Sequence, residues 1–564
     1  MSSQNVKELF SKDKFSIPIY QRAYAWRSEN FKDLWEDLEE ALGREGHFLG
    51  TIVVAPNEKD SKKFDIIDGQ QRITTIFMLL YALIKKGKRK DNLKTKLLLD
   101  EEDDLKLELI EENRDFFKRL LESEELVGLE EEADDFGKKN LCEVFGRILD
   151  KVANLNEEEV EKYRESLLEM KIMWLEEENA GRAIRTFQSV NDRGIALSLL
   201  DKLKSLLIYY SNSFCEGVNS LDSLINESFG EIFKICLKIK EHKNKYSIGG
   251  AQFKEENDIF RYHAGSIKFE EIDFLGSYNI SLEDTYDKLK GVLKGLVNDR
   301  AKLSSFIEAY VKDLKEFYQS FLALLDEIDQ RASVFKLFLI KKINPLFYNS
   351  LLRLKMKDEL DDELIELFAK ADIVFFNSGS EQKAKAYKLI HEALRSKEDF
   401  KKGLIREVKN VNLINNSINF LVNNAWNGRY THYVFFEQNC KDLSIERLKK
   451  LIEKKEINQQ IEHIIPKNLL EKGDEQALKK LGFEDINDFG NFLNSYGNIL
   501  SLEGSLNTKA SDKDLIAKAE VYEKSNIDFN RRFEVKNFNK AKLKERNKEL
   551  EKWLKEEFFK EFLN

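Results

Sequence analysis

The chain has 564 residues, of which 42% are hydrophobic and 34% are charged, which is typical of a globular protein with room for two or three domains. Its formal net charge of −10 excludes a polycation that binds nucleic acid over its whole surface. The acidic excess lies in the first 425 residues, and the remainder is close to neutral. Any nucleic-acid-facing surface is therefore expected toward the C-terminus.

The four cysteines, Cys142, Cys215, Cys236 and Cys440, form no CxxC pair. This spacing argues against both a zinc knuckle and a disulfide framework. The N-terminus lacks an apolar signal core, and no apolar run approaches the length of roughly 18 residues that a membrane span needs. These features together predict a cytoplasmic protein.

The chain opens with a stretch of mixed apolar, polar and aromatic residues at 16–26. Arg22 is the least easily explained of them, because Tyr20, Tyr24 and Trp26 flank it. An arginine that stacks among aromatic rings serves either structure or ligand contact, and the sequence leaves both readings open.

Two strands are predicted next, at 47–55 and 63–67, with a hairpin loop between them. The second strand runs into a glycine turn at 68–72, and an apolar helix follows with Thr74 and Thr75 at its start. A strand, a glycine turn and a helix N-terminus make an anion site plausible, because free amide N–H groups and the helix dipole face the turn. Arg72 would add a bidentate phosphate contact. The alternative is an ordinary Asp-Gly turn with a surface arginine.

A second polar turn, Asn191-Asp192-Arg193-Gly194, lies between two apolar helical stretches. Its amide and guanidinium donors could complete the anion site that begins at Arg72. Ser198 and Asp201 after it fit a helix capping box, which explains both residues without a function.

This part of the chain contains three motifs: Ile17-Pro18…Tyr20-Gln21-Arg22…Trp26, Asp68-Gly-Gln-Gln-Arg72-Ile-Thr-Thr and Phe187…Asn191-Asp-Arg-Gly194…Leu197-Ser198…Asp201…Lys204. They resemble the N-terminal domain of GmrSD-type modification-dependent (type IV) restriction enzymes. The resemblance implies a ParB- and sulfiredoxin-like fold that binds and hydrolyses a nucleoside triphosphate. It assigns nucleotide contacts to the two turns and modified-DNA sensing to the aromatic segment at the start. The implied nucleotide-binding residues are Asp68, Gly69, Gln70, Gln71, Arg72, Asn191 and Arg193, and the implied DNA-sensing residues are Tyr20, Arg22 and Trp26.

Residues 213–425 show helical periodicity and frequent aromatic residues but no motif that indicates chemistry. We interpret this region as an α-helical connector.

The C-terminal part places Glu462 directly beside His463 in an apolar run that predicts a strand ending at Pro466. Asn498 and Asn507 follow, on either side of a second predicted strand at 499–502. A histidine can take a proton from water, and oxygen ligands can hold a hard divalent cation, as a one-metal phosphodiesterase site requires. The alternative is a core histidine on a buried strand.

This pattern resembles the HNH-type nuclease domain at the C-terminus of the same GmrSD-type proteins. The resemblance implies that His463 is the general base and that Glu462 and Asn507 are metal ligands. It makes Asn498 an orienter of the histidine or of the backbone. Because no cysteine or histidine cluster accompanies these residues, Mg²⁺ or Mn²⁺ is the expected ion.

The predicted fold class is therefore α+β and mostly helical, with three parts: a ParB-like domain (1–212), the helical connector (213–425) and an HNH ββα-metal domain (426–564). The predicted function is a phage-defence endonuclease that nicks or cleaves modified DNA under the control of NTP binding and hydrolysis. The rival hypothesis is an NTP-regulated DNA-binding or scaffold protein whose HNH-like domain is catalytically idle. The sequence leaves homodimerisation open.

Overall fold

A computed structural model describes the chain as two compact units, Met1–Leu237 with Tyr286–Lys315, and Lys238–Thr285 with Glu316–Asn564. Each unit is therefore assembled from two separate segments of the chain. The three boundaries, after Leu237, Thr285 and Lys315, all lie within helices. The described residues are 2–563, except for 19–20, 22, 44–46, 58–59, 61, 89, 110, 124–125, 134, 178–197, 216–218, 249–256, 272–280, 377–384, 386, 410, 428–429, 442 and 455.

The first unit contains a mixed six-stranded sheet in the order β1-β6-β3-β4-β2-β5. The pairs β1–β6 and β3–β4 are antiparallel, and the other three neighbouring pairs are parallel. The predicted hairpin of strands is confirmed as β3–β4. The strands are β1 (Ser2–Asn5), β2 (Lys14–Ser16), β3 (Phe48–Pro56), β4 (Lys63–Asp68), β5 (Leu107–Glu108) and β6 (Lys171–Glu176).

One helix, α3 (Gln70–Lys86), lies at the centre of this unit. Every residue from Ile73 to Ile84 is buried, and a helix that is buried on all sides must be apolar all round, as this one is. The sequence analysis placed the start of this helix at Thr74, but it begins four residues earlier. The reason is Gly69, which adopts a left-handed conformation and allows the chain to turn into the helix directly from β4.

The other described helices of the first unit pack around the sheet and α3, or continue the unit toward its boundary. They are α1 (Val6–Lys12), α2 (Ser28–Ala41), α4 (Lys90–Leu97), α5 (Glu111–Glu122), α6 (Val127–Glu132), α7 (Phe136–Ala153), α8 (Glu157–Glu169), α9 (Leu199–Phe214), α10 (Asn219–Lys245), α12 (Leu282–Leu296) and α13 (Arg300–Asp326). Of these, α10, α12 and α13 cross a unit boundary, and α11 (Asn257–Ala264) belongs to the second unit.

The second unit is helical apart from two small antiparallel sheets, β7–β8 and β9–β10. Its strands are β7 (Ile452–Glu453), β8 (Glu456–Ile457), β9 (Gln459–His463) and β10 (Ile499–Glu503). Its remaining helices are α14 (Ala332–Phe335), α15 (Tyr348–Met356), α16 (Asp362–Phe376), α17 (Ile390–Ala393), α18 (Lys397–Val408), α19 (Val411–Asn423), α20 (Thr431–Asn439), α21 (Ile445–Lys449), α22 (Asn468–Glu471), α23 (Glu475–Lys480), α24 (Ile486–Leu493), α25 (Gly504–Ala510), α26 (Leu515–Tyr522), α27 (Asp528–Arg532), α28 (Lys540–Trp553) and α29 (Lys560–Leu563).

The strand pair β9–β10 and helix α25 follow the order that the sequence analysis predicted. His463 pairs with Ile499, and Glu462 pairs with Leu500. Because side chains alternate along a strand, Gln460 and Glu462 share one face of β9, and Ile461 and His463 share the other.

The basic stretch at 444–454 is helical only in its first part. The helix ends at Lys449, and the chain then forms the β7–β8 hairpin. Lys454 takes a positive φ of 50° in the turn of that hairpin, a conformation that a helix interior excludes.

The predicted fold class, α+β and mostly helical, is confirmed. Residues of the predicted connector at 213–425 occur in both units, and the three-part division stays a prediction. None of the helices in the described part of the chain has the length and apolar character that crossing a membrane requires.

Candidate functional sites

The glycine turn at the end of β4 is fixed by close packing against β3. Gly69 has a φ of +86°, and a Cβ atom there would lie 3.0 Å from Ile52 Cγ1 and 3.1 Å from the Thr51 carbonyl oxygen. Both the conformation and the space therefore require glycine. Asp68, the last residue of β4, accepts a hydrogen bond from the Gly69 amide at 2.6 Å. The turn thus has a defined shape before any ligand arrives.

Arg72 lies in the first turn of α3 and extends its guanidinium group to β3. A Cβ atom at Gly50 would be 2.7 Å from Arg72 Nη1, so the group lies directly over the glycine backbone. Burial lowers the pKa of Arg72, while the charges of Asp68 and Asp37 act in the opposite direction. Among the residues that the structure describes, none forms a hydrogen bond or ion pair with this guanidinium. Within the described part of the chain, Arg72 is therefore a half-buried cation without a hydrogen-bond partner, beside a helix N-terminus.

Gln71 has a structural task that the sequence did not reveal. Its Oε1 accepts hydrogen bonds from the amides of Ala25 (2.6 Å) and Trp26 (3.3 Å), and its Nε2 donates to the Ala23 carbonyl at 3.3 Å. The side chain thereby anchors residues 23–26 to the start of α3. A nucleotide contact by Gln71 stays a prediction.

Gln70 is also buried and lines a narrow recess together with Tyr24, Thr74 and Asn113. The recess has space for about one water molecule. Asn113 Oδ1 is buried in it without a hydrogen-bond partner in the described residues. A buried orphan acceptor of this kind is usually satisfied by an ordered water molecule.

Of the aromatic segment, the structure describes Trp26 but not Tyr20 or Arg22. The Trp26 ring is partly buried against the core of the first unit. Asn191 and Arg193 of the second predicted turn also lie outside the described residues. The predicted roles of these residues stay predictions.

In the second unit, His463 ends β9 and is held on two sides. Its ring stacks on Trp426 with centroids 4.1 Å apart and an interplanar angle of 11°. Its Nε2 lies 3.1 Å from Oδ1 of Asn494, the residue that follows α24. An amide oxygen only accepts hydrogen bonds, so Nε2 carries the proton and Nδ1 keeps its lone pair. Burial lowers the pKa of His463 to about 4, with the Asn494 contact acting in the opposite direction.

Asn498 orients the backbone just after the histidine. Its side chain accepts from the Ile465 amide at 2.9 Å and donates to the carbonyls of Ile465 (3.2 Å) and Leu493 (2.9 Å). Asn498 is completely buried. The preceding Gly497 is required because a Cβ there would overlap the Leu543 carbonyl oxygen of α28. The resemblance implied that Asn498 orients either the histidine or the backbone. The side-chain contacts observed here are with the backbone.

Glu462 points to the other face of β9, where it meets two residues of α26. Lys518 Nζ donates to Glu462 Oε1 and to the His463 carbonyl oxygen, and Tyr522 donates to the same Oε1 at 3.3 Å. Lys518 and Tyr522 are four residues apart and therefore lie on one side of the helix. Burial raises the pKa of Glu462 and lowers that of Lys518, whereas their mutual attraction acts in the opposite direction on both.

Asn507 lies in α25, on the same side of the strand pair as Glu462. Its Nδ2 donates to Gln460 Oε1 at 2.9 Å. Its Oδ1 is buried and has no hydrogen-bond partner in the described residues. This orphaned oxygen is chemically suited to a hard divalent cation. Within the same described residues, no group of three or more His, Cys, Asp and Glu side chains could hold a metal ion.

The structure adds three residues that the sequence did not indicate: Asn494, Trp426 and Lys518. Each reaches the Glu462–His463 pair from a different helix or turn, at least 31 positions away in the sequence. No spacing rule connects such residues to the pair, so only the tertiary structure could find them. His432, the other histidine of this region, is half-buried, and its Nδ1 lies 2.9 Å from Ser501 Oγ.

Comparison with known protein families gives two matches. The model for "GmrSD restriction endonuclease, N-terminal domain" matches residues 6–208, which include the sheet and the Gly69 turn. The model for "GmrSD restriction endonucleases, C-terminal domain" matches residues 407–553, which include β9, β10, α25 and α26. Together the two matches cover more than half of the chain. No curated protein gives a significant match.

Proposed function

Because the chain belongs to the GmrSD restriction endonuclease family, we propose that it cleaves DNA at an HNH-type site centred on His463. The observation that supports this proposal best is the arrangement of β9, β10 and α25. Asn494, just after α24, holds the histidine of β9 by one hydrogen bond, and Asn507 Oδ1 in α25 has no hydrogen-bond partner in the described residues.

In the proposed reaction, Nδ1 of His463 takes a proton from the attacking water molecule. The Asn494 contact leaves this nitrogen unprotonated, so the base is available at neutral pH. A phosphate group beside the ring would favour the imidazolium form, because an opposite charge favours protonation. Bound DNA should therefore raise the pKa of His463 from about 4 toward neutrality and make the base stronger.

Glu462 Oε2 and Asn507 Oδ1 are the oxygens that would hold Mg²⁺ or Mn²⁺. Glu462 Oε1 is occupied by Lys518 and Tyr522, but no residue in the described ranges forms a hydrogen bond with Oε2. A bound divalent cation would supply charge stabilisation at the phosphate and at the leaving 3′-oxygen. Lys518 and Tyr522 hold the carboxylate in position, and Gln460 holds the Asn507 amide.

For the first unit we propose a ParB- and sulfiredoxin-like domain that binds a nucleoside triphosphate at the Gly69 turn. The supporting observation is Arg72, a half-buried cation in the N-terminal turn of a 17-residue helix, whose donors have no hydrogen-bond partner among the described residues. Nucleotide binding would control cleavage, and the DNA would carry a modification that Tyr20, Arg22 and Trp26 sense. A cytoplasmic role in phage defence follows from these proposals, and homodimerisation is left open.

A plasmid-nicking assay tests the proposal. Supercoiled DNA with and without modified bases is incubated with Mg²⁺ or Mn²⁺, in the presence and absence of NTP. Metal-dependent nicking that His463→Ala abolishes supports the proposal. The exposed His391 offers a matched control, since His391→Ala should leave nicking unchanged. DNA binding without nicking under every condition would favour the rival hypothesis of a catalytically idle domain.

A further inference from the structure

Strand β3 has an irregular backbone at Gly50, the residue that Arg72 reaches. Gly50 has a φ of +116°, a conformation that residues with a side chain rarely adopt. The pairing of β3 with β6 also contains a bulge here, because Phe48 pairs with Lys171 and Gly50 pairs with the next residue, Ile172. A bulge bends its strand and changes the direction of the residues around it. The strand is thus distorted at the point where it meets the arginine.

The guanidinium group of Arg72 turns its flat face toward Gly50. A Cβ atom at Gly50 would lie 2.7 Å from Nη1, 2.8 Å from Cζ and 3.2 Å from Nη2 of Arg72. If the N–H edge of the group faced the glycine, both Nη atoms would be closer than Cζ, and they are not. The N–H donors lie in the plane of the guanidinium. The contact with Gly50 therefore uses the face of the group and leaves its donors for another partner.

The Gly69 turn lies beside this contact on the same strand. A Cβ atom at Gly69 would be 3.1 Å from the Thr51 carbonyl oxygen and 3.0 Å from Ile52 Cγ1. Arg72 thus lies against Gly50, and the turn lies against the two residues that follow it in β3. Gly50, Thr51, Gly69 and Arg72 all keep partial exposure to solvent, so a ligand can reach this part of the strand.

We propose that Gly50 is a positioning residue for the phosphate site: because it has no side chain, the Arg72 guanidinium lies flat on β3 with its N–H edge available to a nucleotide phosphate. One edge of an arginine can donate two parallel hydrogen bonds to a phosphate. A guanidinium that is already held in place loses less conformational freedom when the phosphate binds. This inference rests on the nucleotide site of the proposed function, and Gly50 itself lies outside the three sequence motifs.

Alanine at position 50 tests the inference. The 2.7 Å separation is well below the usual contact distance of about 3.5 Å between non-bonded atoms, so the added Cβ would displace the guanidinium. Calorimetric titration of the full chain with ATP, GTP, CTP and UTP in turn measures the result. Gly50→Ala should weaken binding of the preferred NTP by about tenfold or more, because a displaced guanidinium loses at least one charge-assisted hydrogen bond. Unchanged affinity in folded Gly50→Ala would overturn the inference.

A double-variant comparison shows whether the effect depends on Arg72. In the Arg72→Ala background, Gly50→Ala should change NTP affinity by less than about twofold, because no guanidinium remains to be displaced. A role of Gly50 in general stability would instead weaken binding in both backgrounds. Equal losses with and without the arginine would therefore overturn the inference.

Gly43 provides the matched control for backbone strain. It belongs to the same unit and has a φ of +71°, and apart from its chain neighbours no atom of the described residues lies within 4 Å of the position that its Cβ would take. Gly43→Ala therefore strains the backbone without displacing a side chain, and NTP affinity should stay within about twofold of wild type. A loss as large as that of Gly50→Ala would assign the effect to strain and overturn the inference.

Circular dichroism and thermal unfolding establish whether each variant folds. If Gly50→Ala does not fold, the variant with both Gly50→Ala and Arg72→Ala decides. A folded double variant would support the inference, because the two proteins differ only in the arginine side chain. An unfolded double variant would overturn it, because the strand itself would then require the glycine.

The failure of this inference can be told apart from the failure of the proposed nucleotide site. If Arg72→Ala weakens NTP binding but folded Gly50→Ala does not, the nucleotide site is supported and only the role of Gly50 is overturned. A wild-type chain that binds none of the four NTPs would overturn both.

Discussion

The Gly69 turn and the β9–β10 strand pair differ in how their polar side chains are satisfied. Around His463, a neighbouring side chain or backbone group holds nearly every polar candidate: Asn494 holds the histidine, and Lys518 holds Glu462. At the Gly69 turn, the backbone is fixed but the Arg72 guanidinium has no hydrogen-bond partner in the described residues. Under the proposed function, this difference suits the His463 site to catalysis and the Gly69 turn to the binding of an anion.

If this contrast is correct, losing the base should affect the reaction rate far more than binding. General-base catalysis contributes about 10²–10⁴-fold in rate, so His463→Ala should reduce nicking by about that factor. DNA binding and NTP hydrolysis should stay close to wild type, because the proposed nucleotide site belongs to the other unit. Quantified plasmid nicking, gel-shift titration and phosphate release measure the three properties.

Simultaneous loss of nicking and NTP hydrolysis, with circular dichroism unchanged, would break the contrast, because one site would then carry both activities. Retained nicking would exclude His463 as the base. His432 is a poor substitute, since burial lowers its pKa to about 4 and its Nδ1 already lies against Ser501.

Arg72→Ala should have the next largest effect, this time on binding. Charge-assisted hydrogen bonds contribute about 1.5–3 kcal/mol each, so NTP affinity should fall by roughly tenfold to a hundredfold. Arg72→Lys should restore part of it, because lysine keeps the charge but not the bidentate geometry. Calorimetric titration with each NTP provides the measurement, and Arg147→Ala, at an exposed position of the same unit, is the control. Full NTP affinity in Arg72→Ala would return residues 68–72 to an ordinary turn.

Asn494→Ala sharpens the comparison within the second unit. Without the Asn494 oxygen, His463 is free to rotate or change tautomer, and nicking should fall by about tenfold to a hundredfold. Substrate affinity should not change. Asn423, an exposed residue at the end of α19, serves as control through Asn423→Ala. Wild-type nicking rates in Asn494→Ala would show that Trp426 alone holds the ring.

Asn507→Ala should have the smallest effect on the maximal rate. It removes one neutral ligand, so the metal concentration needed for half-maximal nicking should rise by about tenfold while saturating metal restores most activity. Folding should be unaffected, since Asn507 Oδ1 has no partner in the described residues and only one hydrogen bond, to Gln460, is lost. An unchanged dependence on Mn²⁺ concentration would remove Asn507 from the proposed site.

The sequence by itself determined the local elements and the order of the candidate residues. The β3–β4 hairpin and the two strands that flank the candidate nuclease residues follow from short-range patterns of apolar and turn residues, although the first of those strands ends at His463 rather than at the predicted Pro466. Gly69 is also a local signal, because the turn that it forms needs a positive φ. Gly497 is different, because it is required by close packing against Leu543 of α28, 46 residues away. The order of acid, histidine and two asparagines predicted a candidate site at Glu462, His463, Asn498 and Asn507, and the roles of these residues stay predictions.

Only the tertiary structure decided which groups form hydrogen bonds, ion pairs or ring contacts with those residues. The sequence could not show whether Gln71 faces a ligand or the backbone of residues 23–26, because this depends on packing between distant segments. In the structure, Gln71 forms hydrogen bonds with that backbone. The Lys518 contact with Glu462 spans 56 residues, and the Trp426 stack on His463 spans 37. Such pairings arise when helices pack around a buried charge that must find a partner, because an unpaired buried charge is strongly unfavourable. The partner's identity is set by the three-dimensional path of the chain, which no local spacing encodes.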